Sequence, residues 1–488
     1  MGFSRFLNLG LVLFAHMVPT VLGLPSVDEQ QVLGLKGGNS MSYEYVSHPA
    51  LPEHSLRLKE PTLCDDSVKQ YSGYLDIAQD KHLFFWFFES RSSPSSDPLV
   101  LWLNGGAGCS SMTGLFFELG PCNINRTEGA NGTVFTSYNP HAWNNHANVI
   151  FLDQPVETGF SFSSSKSGHV KTTPEAALDV YAFLQLFVHR FEEYSTQPFH
   201  IAGESYGGHF VPHIASVVHH KNKEIIHAPS AGFRRLNLES ILLGNALTDP
   251  LIQMPSVVGY ACDGPFAVLS PDSPQCRDLR IRGPICERMI KACHALNTRA
   301  VCAPRRSTAG PSAKRNFHDV RLFCDTNPDC YNEGHWIEEY MNRPQVKEAL
   351  GVDLNAPYFV GCNTDLLVEF MTQGDGMQDT KSLVTELVDE GIRLLVYAGN
   401  TDMACNYLGN SRWVAEFPSV HKDAFNEAEY LQWTVSNRQA GIVRSAGEGA
   451  GNVTYITVFE AGHMVPHDQP EAALDMFERW IHNAPLSD

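Results

Sequence analysis

The sequence predicts an α/β protein: a central, mostly parallel sheet with helices on both faces, interrupted by a cysteine-rich insertion. Three observations lead there. Short apolar runs fit for buried strands alternate with longer segments of helical apolar spacing. The runs are apolar throughout rather than alternating, as expected of strands covered on both sides. The alternation breaks between about residues 251 and 345, where cysteines, prolines and arginines accumulate, and then resumes.

In chain order, Arg5 precedes the apolar "FLNLGLVLFAHMV", followed by Pro19 and "TVLG". This reads as a secretory leader over residues 1–23, cleaved near Gly23, because the run is short for a span and is broken by Asn8 and His16. Residues 24–56 are expected to be a pro-segment or N-terminal extension, polar and loop-like to about residue 60. The first part of the core is expected over 57–250. In it "LFFWFF" (83–88) and "PLVLWL" (98–103) read as strands joined like a hairpin by the polar "ESRSSPSSD", and "ANVIFL" (147–152) as a buried strand. A helix follows, capped by Thr172 or Thr173, with Pro174 and Glu175 in its first turn and "AALDVYAFLQLFVHRF" as its body. A strand around Ile201, a helix through "FVPHIASVVHH" and a strand in "LESILLGNAL" complete this part. The insertion, 251–345, includes "RRSTAGPSAKRN" as an exposed loop. The second part of the core, 346–488, holds the helix "SLVTELVDEG", the strands "IRLLVYAG" (392–399) and "VTYITVF" (453–459), a turn at "GEGAG" (447–451) and the helix "PEAALDMFERWI" (470–481).

Of the 488 residues, 43% are hydrophobic, enough for a large core, and the formal charge is −19. The acidic balance argues against nucleic acid as a partner, and neither a basic stripe nor a zinc-finger spacing is present. A secretory route makes disulfides the expected state of the cysteines, which crowd between Cys262 and Cys330. It also gives meaning to the sequons at Asn125, Asn131 and Asn452. No segment after the leader is long and apolar enough to cross a bilayer, so no membrane association is expected once it is removed. The histidines show no metal-binding spacing, and no metal or cofactor is expected.

The chemistry is concentrated in a few places. Gly203-Glu-Ser-Tyr-Gly207 is a G-x-S-x-G sequence between a strand and a helix. Such a sharp turn needs small neighbours and lifts the serine hydroxyl above the sheet edge, in front of a helix N-terminus that favours negative charge. A serine nucleophile needs a base, and the base an orienting carboxylate; in α/β-hydrolases they follow in the order Ser, acid, His. Asp402, in "LLVYAGNTDMACN", and His463, in "VFEAGHMVPHDQP", each come just after a late strand. The Gly-rich "LWLNGGAGCSS" (101–111) can present backbone N–H groups to an oxyanion. It lacks the G-K-[ST] of a phosphate loop, which excludes nucleotide binding there.

The segments "YSGYLD", "WLNGGAGCSS", "LFFELGP", "IFLDQPV", "HIAGESYGGH", "GNALTDP", "VYAGNTDMACNYLGN" and "AGHMVP", in this order, resemble the serine carboxypeptidases, the fungal carboxypeptidase Y group most of all, from about Leu58 to Ile481. The resemblance implies an α/β-hydrolase fold with a disulfide-stapled cap and a chain that removes C-terminal residues of peptides and proteins through an acyl-enzyme. Matching motifs give Ser205 as nucleophile, His463 as base and Asp402 as its partner. They give Gly106 and Tyr206 as the oxyanion hole, and Asn104, Gly105, Glu118 and Glu204 as the group that holds the substrate's terminal carboxylate. Thr113, Phe117, Tyr331 and Met464 match the pocket for the last side chain, and Cys405 a free cysteine beside the site, expected to be reactive. Glu118 and Glu204, placed close together, cannot both ionise cheaply, so a shared proton can be donated to the substrate carboxylate; a preference for acidic pH follows.

By the same resemblance the disulfides are Cys109–Cys362, Cys262–Cys276, Cys293–Cys302 and Cys324–Cys330. Cys64 and Cys122 are additional, and pair with each other unless one of them takes Cys286. The sequence departs from the family pattern at Ala107, usually Pro, at Glu157, usually Gly or Asn, and at Gly376, where carboxypeptidase Y has tryptophan and a wider pocket is therefore expected. Two other readings compete: an acyltransferase on the same scaffold, disfavoured because such relatives commonly carry Asp at the position of Glu204, and a non-catalytic binding protein, which would have lost Ser, Asp or His.

Overall fold

A computed structural model describes residues 43–487, apart from 79, 130–131, 228–231, 297, 303–314 and 325–329. The expected leader, the first part of the extension, most of the "RRSTAGPSAKRN" loop and Asn131 lie outside the described residues. In chain order the strands are β1 (Glu44–His48), β2 (Leu51–Lys59), β3 (Gln70–Ile77), β4 (Lys81–Phe88), β5 (Leu99–Leu103), β6 (Cys122–Arg126), β7 (Val134–Tyr138), β8 (Asn148–Leu152), β9 (Phe162–Ser163), β10 (Phe199–Glu204), β11 (Leu238–Gly244), β12 (Arg393–Gly399), β13 (Leu431–Val435), β14 (Arg438–Ala446) and β15 (Val453–Val458). The main sheet has the order β1-β2-β3-β4-β8-β5-β10-β11-β12-β15-β14-β13, with β9 beside β4, while β6 and β7 form a separate hairpin.

From β8 across to β15 every neighbour is parallel; the outer strands on both sides are antiparallel. Alternate residues of the central strands enter two different cores. Leu99, Leu101 and Leu103 of β5 and Leu394, Val396 and Ala398 of β12 face one side, with Phe183 and Phe187 of helix Thr173–Arg190 and Phe210 and Ile214 of helix Gly207–His227. Val100, Trp102, Leu395 and Tyr397 face the other, with Met476, Phe477 and Trp480 of helix Pro470–Ile481. Burial on both faces is why these strands read as continuous apolar runs. It also places the C-terminal ends of β10, β11, β12 and β15 along one edge, about 5 Å apart from strand to strand.

Several expectations are corrected. β4 and β5 are not a hairpin: β8 lies between them, antiparallel to β4 and parallel to β5. The polar loop after β4 is long enough to step over one strand, and Arg91 pins it by donating to Asn139 O, Asn145 Oδ1 and Asp65. Residues 44–48 and 51–59 are not loop but the two outermost strands on one side of the sheet, whose Val46, Leu56 and Leu58 enter the first core. At the start of the helix at Thr173 neither threonine caps: the Thr173 N–H and hydroxyl both donate to Asp375, at 2.9 and 2.5 Å. Within 251–345 the structure has helices Pro250–Asp263, Pro274–Leu296, Arg299–Cys302 and Glu333–Met341. The last of these sends Ile337, Tyr340 and Met341 into the second core.

Five disulfides are present: Cys64–Cys122, Cys109–Cys362, Cys262–Cys276, Cys293–Cys302 and Cys324–Cys330. Cys286 and Cys405 are free. Among the described residues no helix is long and apolar enough to cross a membrane.

Candidate active site

β10 ends at Glu204, and the next helix begins at Gly207. Ser205 between them has φ +60°, a left-handed conformation that costs energy in a residue with a side chain and is typical of functional turns. The surroundings enforce it. The Ser205 N–H donates to Gly244 O of β11 (3.1 Å), and its carbonyl accepts from Leu247 N (2.8 Å) and Gly208 N (3.0 Å). A Cβ at Gly203 would lie 2.8 Å from Val211 Cγ2, and one at Gly208 2.3 Å from Leu247 O. At Gly207 the nearest atom would be at 3.4 Å, so the glycine the packing demands after the serine is Gly208.

The next strands bring Asp402 and His463 to the same edge. His463 Nδ1 and Asp402 Oδ2 are 2.8 Å apart, and both side chains are almost fully buried. Asp402 is surrounded by further donors: Asn245 Nδ2 (2.8 Å), Ala404 N (2.8 Å) and Cys405 N (3.1 Å). Asn245, which follows β11, also accepts from Gly399 N through its side-chain oxygen (3.0 Å), so its amide is held in one orientation. Sequence reasoning gave Asn245 no role. The available signal was a polar residue directly after a buried strand, in "GNALTDP".

The Gly-rich loop lies against the elbow. A Cβ at Gly105 would be 2.5 Å from Tyr206 N and 2.6 Å from Ser205 Cβ, so only glycine permits this approach. Among the described residues neither Gly106 N–H nor Tyr206 N–H has an acceptor. The loop is tied down by the Cys109–Cys362 disulfide, by Asn363 N donating to Gly108 O (2.9 Å) and by Ser110 N donating to Gly361 O (2.8 Å). From behind, the buried Asp153 accepts from Ser110 Oγ (2.6 Å) and Ser111 N (3.1 Å). Burial pushes the Asp153 carboxyl up to about 7.

Beside the elbow is a buried carboxyl pair. Asn104 Nδ2 donates to both Glu118 Oε1 (3.2 Å) and Glu204 Oε1 (3.3 Å). Trp102 Nε1 and Gly114 N both donate to Asn104 Oδ1, at 2.8 and 2.9 Å, which turns the amide nitrogen toward the carboxyls. Glu118 and Glu204 are 2% and 5% exposed, too little for both to ionise. Burial raises Glu118; burial, then the neighbouring Glu118, raises Glu204 well above its ordinary value. Glu118 Oε2 has no partner among the described residues.

Phe117 meets Tyr331 at 5.3 Å between ring centroids and stacks on His467 at 3.9 Å. Thr113 begins the turn that carries Phe117, and Met464 precedes the turn that carries His467. His467 was not singled out from the sequence.

Two departures, and the expectation for Cys405, acquire physical accounts. Glu157 has φ +75°, the conformation Gly or Asn adopts most easily, and its carboxylate accepts from Ser163 N at 2.8 Å. At Gly376 the side chain of Met371 occupies the space beside the glycine: a Cβ there would lie 2.9 Å from Met371 Cε. Cys405 is free, but the expected reactivity is not supported. Burial, then the negative charge of Asp402 and Glu204, pushes its thiol well above the ordinary range, which disfavours the thiolate.

Residues 61–483 match the sequence model of the serine carboxypeptidases. The chain is 42% identical over 454 residues to carboxypeptidase Y of Schizosaccharomyces pombe, covering 90% of this chain and 44% of that protein's length. It is 40% identical over 478 residues to carboxypeptidase Y of Komagataella phaffii, covering 95% and 86%, and 44% identical over 447 residues to carboxypeptidase Y homolog A of Paracoccidioides brasiliensis, covering 88% and 76%. The crystal structure of a prohormone-processing carboxypeptidase from Saccharomyces cerevisiae shares the fold, with a TM-score of 0.72 at 22% identity over 90% of this chain and 95% of that one. With its α/β-hydrolase sheet and a family match running through nearly all the described residues, the chain belongs to the serine carboxypeptidases.

Proposed function

We propose that this serine carboxypeptidase cleaves the last peptide bond of peptides and proteins with Ser205 as nucleophile, His463 as general base and the Glu118–Glu204 pair as the reader of the free C-terminus. The observation that carries the reading is the covalent adjacency of Glu204, buried against a second carboxyl, to Ser205 at the elbow. His463 Nδ1 is engaged by Asp402, which leaves Nε2 to take the serine proton. Ser205 Oγ bonds to the scissile carbonyl carbon, and the carbonyl oxygen gains charge facing the N–H groups of Gly106 and Tyr206. Collapse breaks the C–N bond, the departing amine takes the proton from His463, and water then attacks the acyl-enzyme by the same route. Asn104 and the protonated carboxyl pair donate to the substrate carboxylate, while Thr113, Phe117, Tyr331 and Met464 border its last side chain. Binding on this reading is favoured at acidic pH, where the pair keeps its proton.

Passage through the secretory pathway, to the vacuole or the exterior, and glycosylation at Asn125, Asn131 and Asn452 belong to the same proposal. An acyltransferase remains disfavoured by Glu204. The test is active-site labelling with a fluorophosphonate, together with release of the last residue from a free-acid peptide. Both are expected in the wild type and lost in Ser205→Ala; a Ser205→Ala protein that keeps more than a few per cent of turnover refutes the assignment.

A further inference from the structure

Within the insertion, Arg315–Phe323 is closed on itself by Asn316 N donating to Leu322 O (3.1 Å) and lies against both late loops of the site. On the acid side, Phe317 O accepts from Met403 N (3.0 Å) and Ala404 N (3.1 Å), and Val320 N donates to Thr401 O (3.0 Å). On the base side, His318 O accepts from His463 N (2.7 Å), and Arg321 donates to Glu460 O (2.7 Å) and pairs with Asp468 (3.0 Å). Gly462 is glycine because a Cβ there would sit 2.5 Å from His318 O. The His318 ring stacks on the His463 ring, 4.6 Å between centroids and 28° between planes.

We infer that this segment is a splint that fixes Asp402 and His463 relative to each other, and that His318 is a positioning residue whose ring holds the plane of the His463 imidazole. The hydrogen bond to Asp402 fixes one nitrogen of His463 but does not by itself set the tilt of the ring plane. The face contact with His318 sets that tilt and so aims Nε2. Desolvation and the facing His463 push the His318 imidazole well below its ordinary range. The stacked ring is therefore neutral, and its aromatic face suits the positive charge that His463 carries after taking the serine proton. Small misplacements of a reacting group cost large factors in rate, which makes such a support worth having.

The inference rests on His463 being the general base. The test compares the full chain carrying His318→Leu or His318→Phe with the wild type, using an N-blocked dipeptide free acid. Active enzyme is counted by fluorophosphonate titration, so that a poorly folded fraction does not enter kcat. His318→Leu is expected to lower kcat about tenfold with KM within about twofold, and His318→Phe to stay within about threefold of wild type, because a flat ring restores the support. An unchanged kcat in His318→Leu overturns the inference. So does a His318→Phe variant that falls as far as His318→Leu, or a loss expressed in KM alone. A wild-type chain that neither labels nor turns over overturns the underlying functional reading instead.

Discussion

Replacing both Glu118 and Glu204 with Gln tests the carboxylate reader. Gln matches Glu in size and keeps one oxygen to accept from Asn104 Nδ2, so the cradle made by Trp102, Gly114 and Asn104 survives. What changes is titration. In the wild type both carboxyls are raised above their ordinary values, so the pair holds a proton at acidic pH, which on the proposed reading it donates to the substrate carboxylate. As pH rises through the raised values the proton leaves, and the substrate carboxylate meets a second negative charge. At about 4 Å and an effective dielectric of about 20, like charges repel by about 4 kcal/mol, or roughly a thousandfold in affinity. An amide donor replaces the carboxyl proton at a loss of about 1 kcal/mol, roughly fivefold.

The assay is kcat/KM from about pH 4 to pH 8 for an N-blocked dipeptide and for its C-terminal amide. Protonation of the triad acts on both substrates, so the acid-to-amide ratio isolates the reader. In the wild type this ratio is expected to fall steeply as pH rises. In the double Gln variant it should start about fivefold lower and stay flat. A ratio that keeps its wild-type pH dependence in the variant would refute the reasoning, and another group would have to read the carboxylate.

Asn245→Ala should lower kcat by about tenfold to a hundredfold with KM little changed, because it removes a donor from Asp402 and the link to Gly399; steady-state kinetics with active-site titration checks this. Asp153, raised from 3.8 to about 7, holds a proton in the folded state that the unfolded chain releases. Stability should therefore fall as pH rises from about 4 to 7, and Asp153→Asn should flatten that slope of Tm against pH. Cys405 should alkylate more slowly at neutral pH than free cysteine, as peptide mapping of the trapped adducts would show; faster reaction would contradict its environment.

The elements that were legible are those in which local chemistry and burial agree. Helix Pro470–Ile481 could be read from Pro470 and its apolar spacing, and β5, β8 and β12 from their apolar runs, because both sheet faces are covered. Strand order was not legible: the loop after β4 looks like a hairpin loop, and only the competition for neighbours inserts β8. β13 and β14, the two outermost strands on the other side, escaped because they are only partly buried and carry mixed residues such as Gln432, Arg438 and Gln439. In the site, Ser205, Asp402 and His463 stand out because each follows a strand end with glycine nearby. Asn245 and Asp153 also follow strand ends, but, as with His318, their roles come from partners 157, 42 and 145 positions away, the last being 463 − 318. Position after a strand marks two of them, but nothing local names the partner on which each role depends. The conformation at Glu157 shows the reverse case: a residue that looks out of place by pattern is tolerated because Ser163 N satisfies its carboxylate.

The joining of Glu204 to Ser205 bears on why such a site would release one residue at a time. Consecutive Cα atoms are about 3.8 Å apart, and a substrate's last residue spans a similar length between its scissile carbonyl and its terminal carboxylate. A reader placed one residue from the nucleophile therefore acts as a ruler. It is a stiff one, because Glu204 ends a strand paired on both sides, with Gly203 opposite Leu103 and Leu243. The left-handed turn at Ser205 takes the chain out of the strand line, while Glu204 remains in the sheet beside Glu118. The strain at Ser205 separates the two functions in direction without separating them in distance. An ordinary extended residue there would place nucleophile and reader on opposite faces of the sheet, since side chains alternate along a strand. On the proposed assignment of Ser205 and Glu204, the elbow serves the geometry of exopeptidase cleavage as well as exposing a nucleophile.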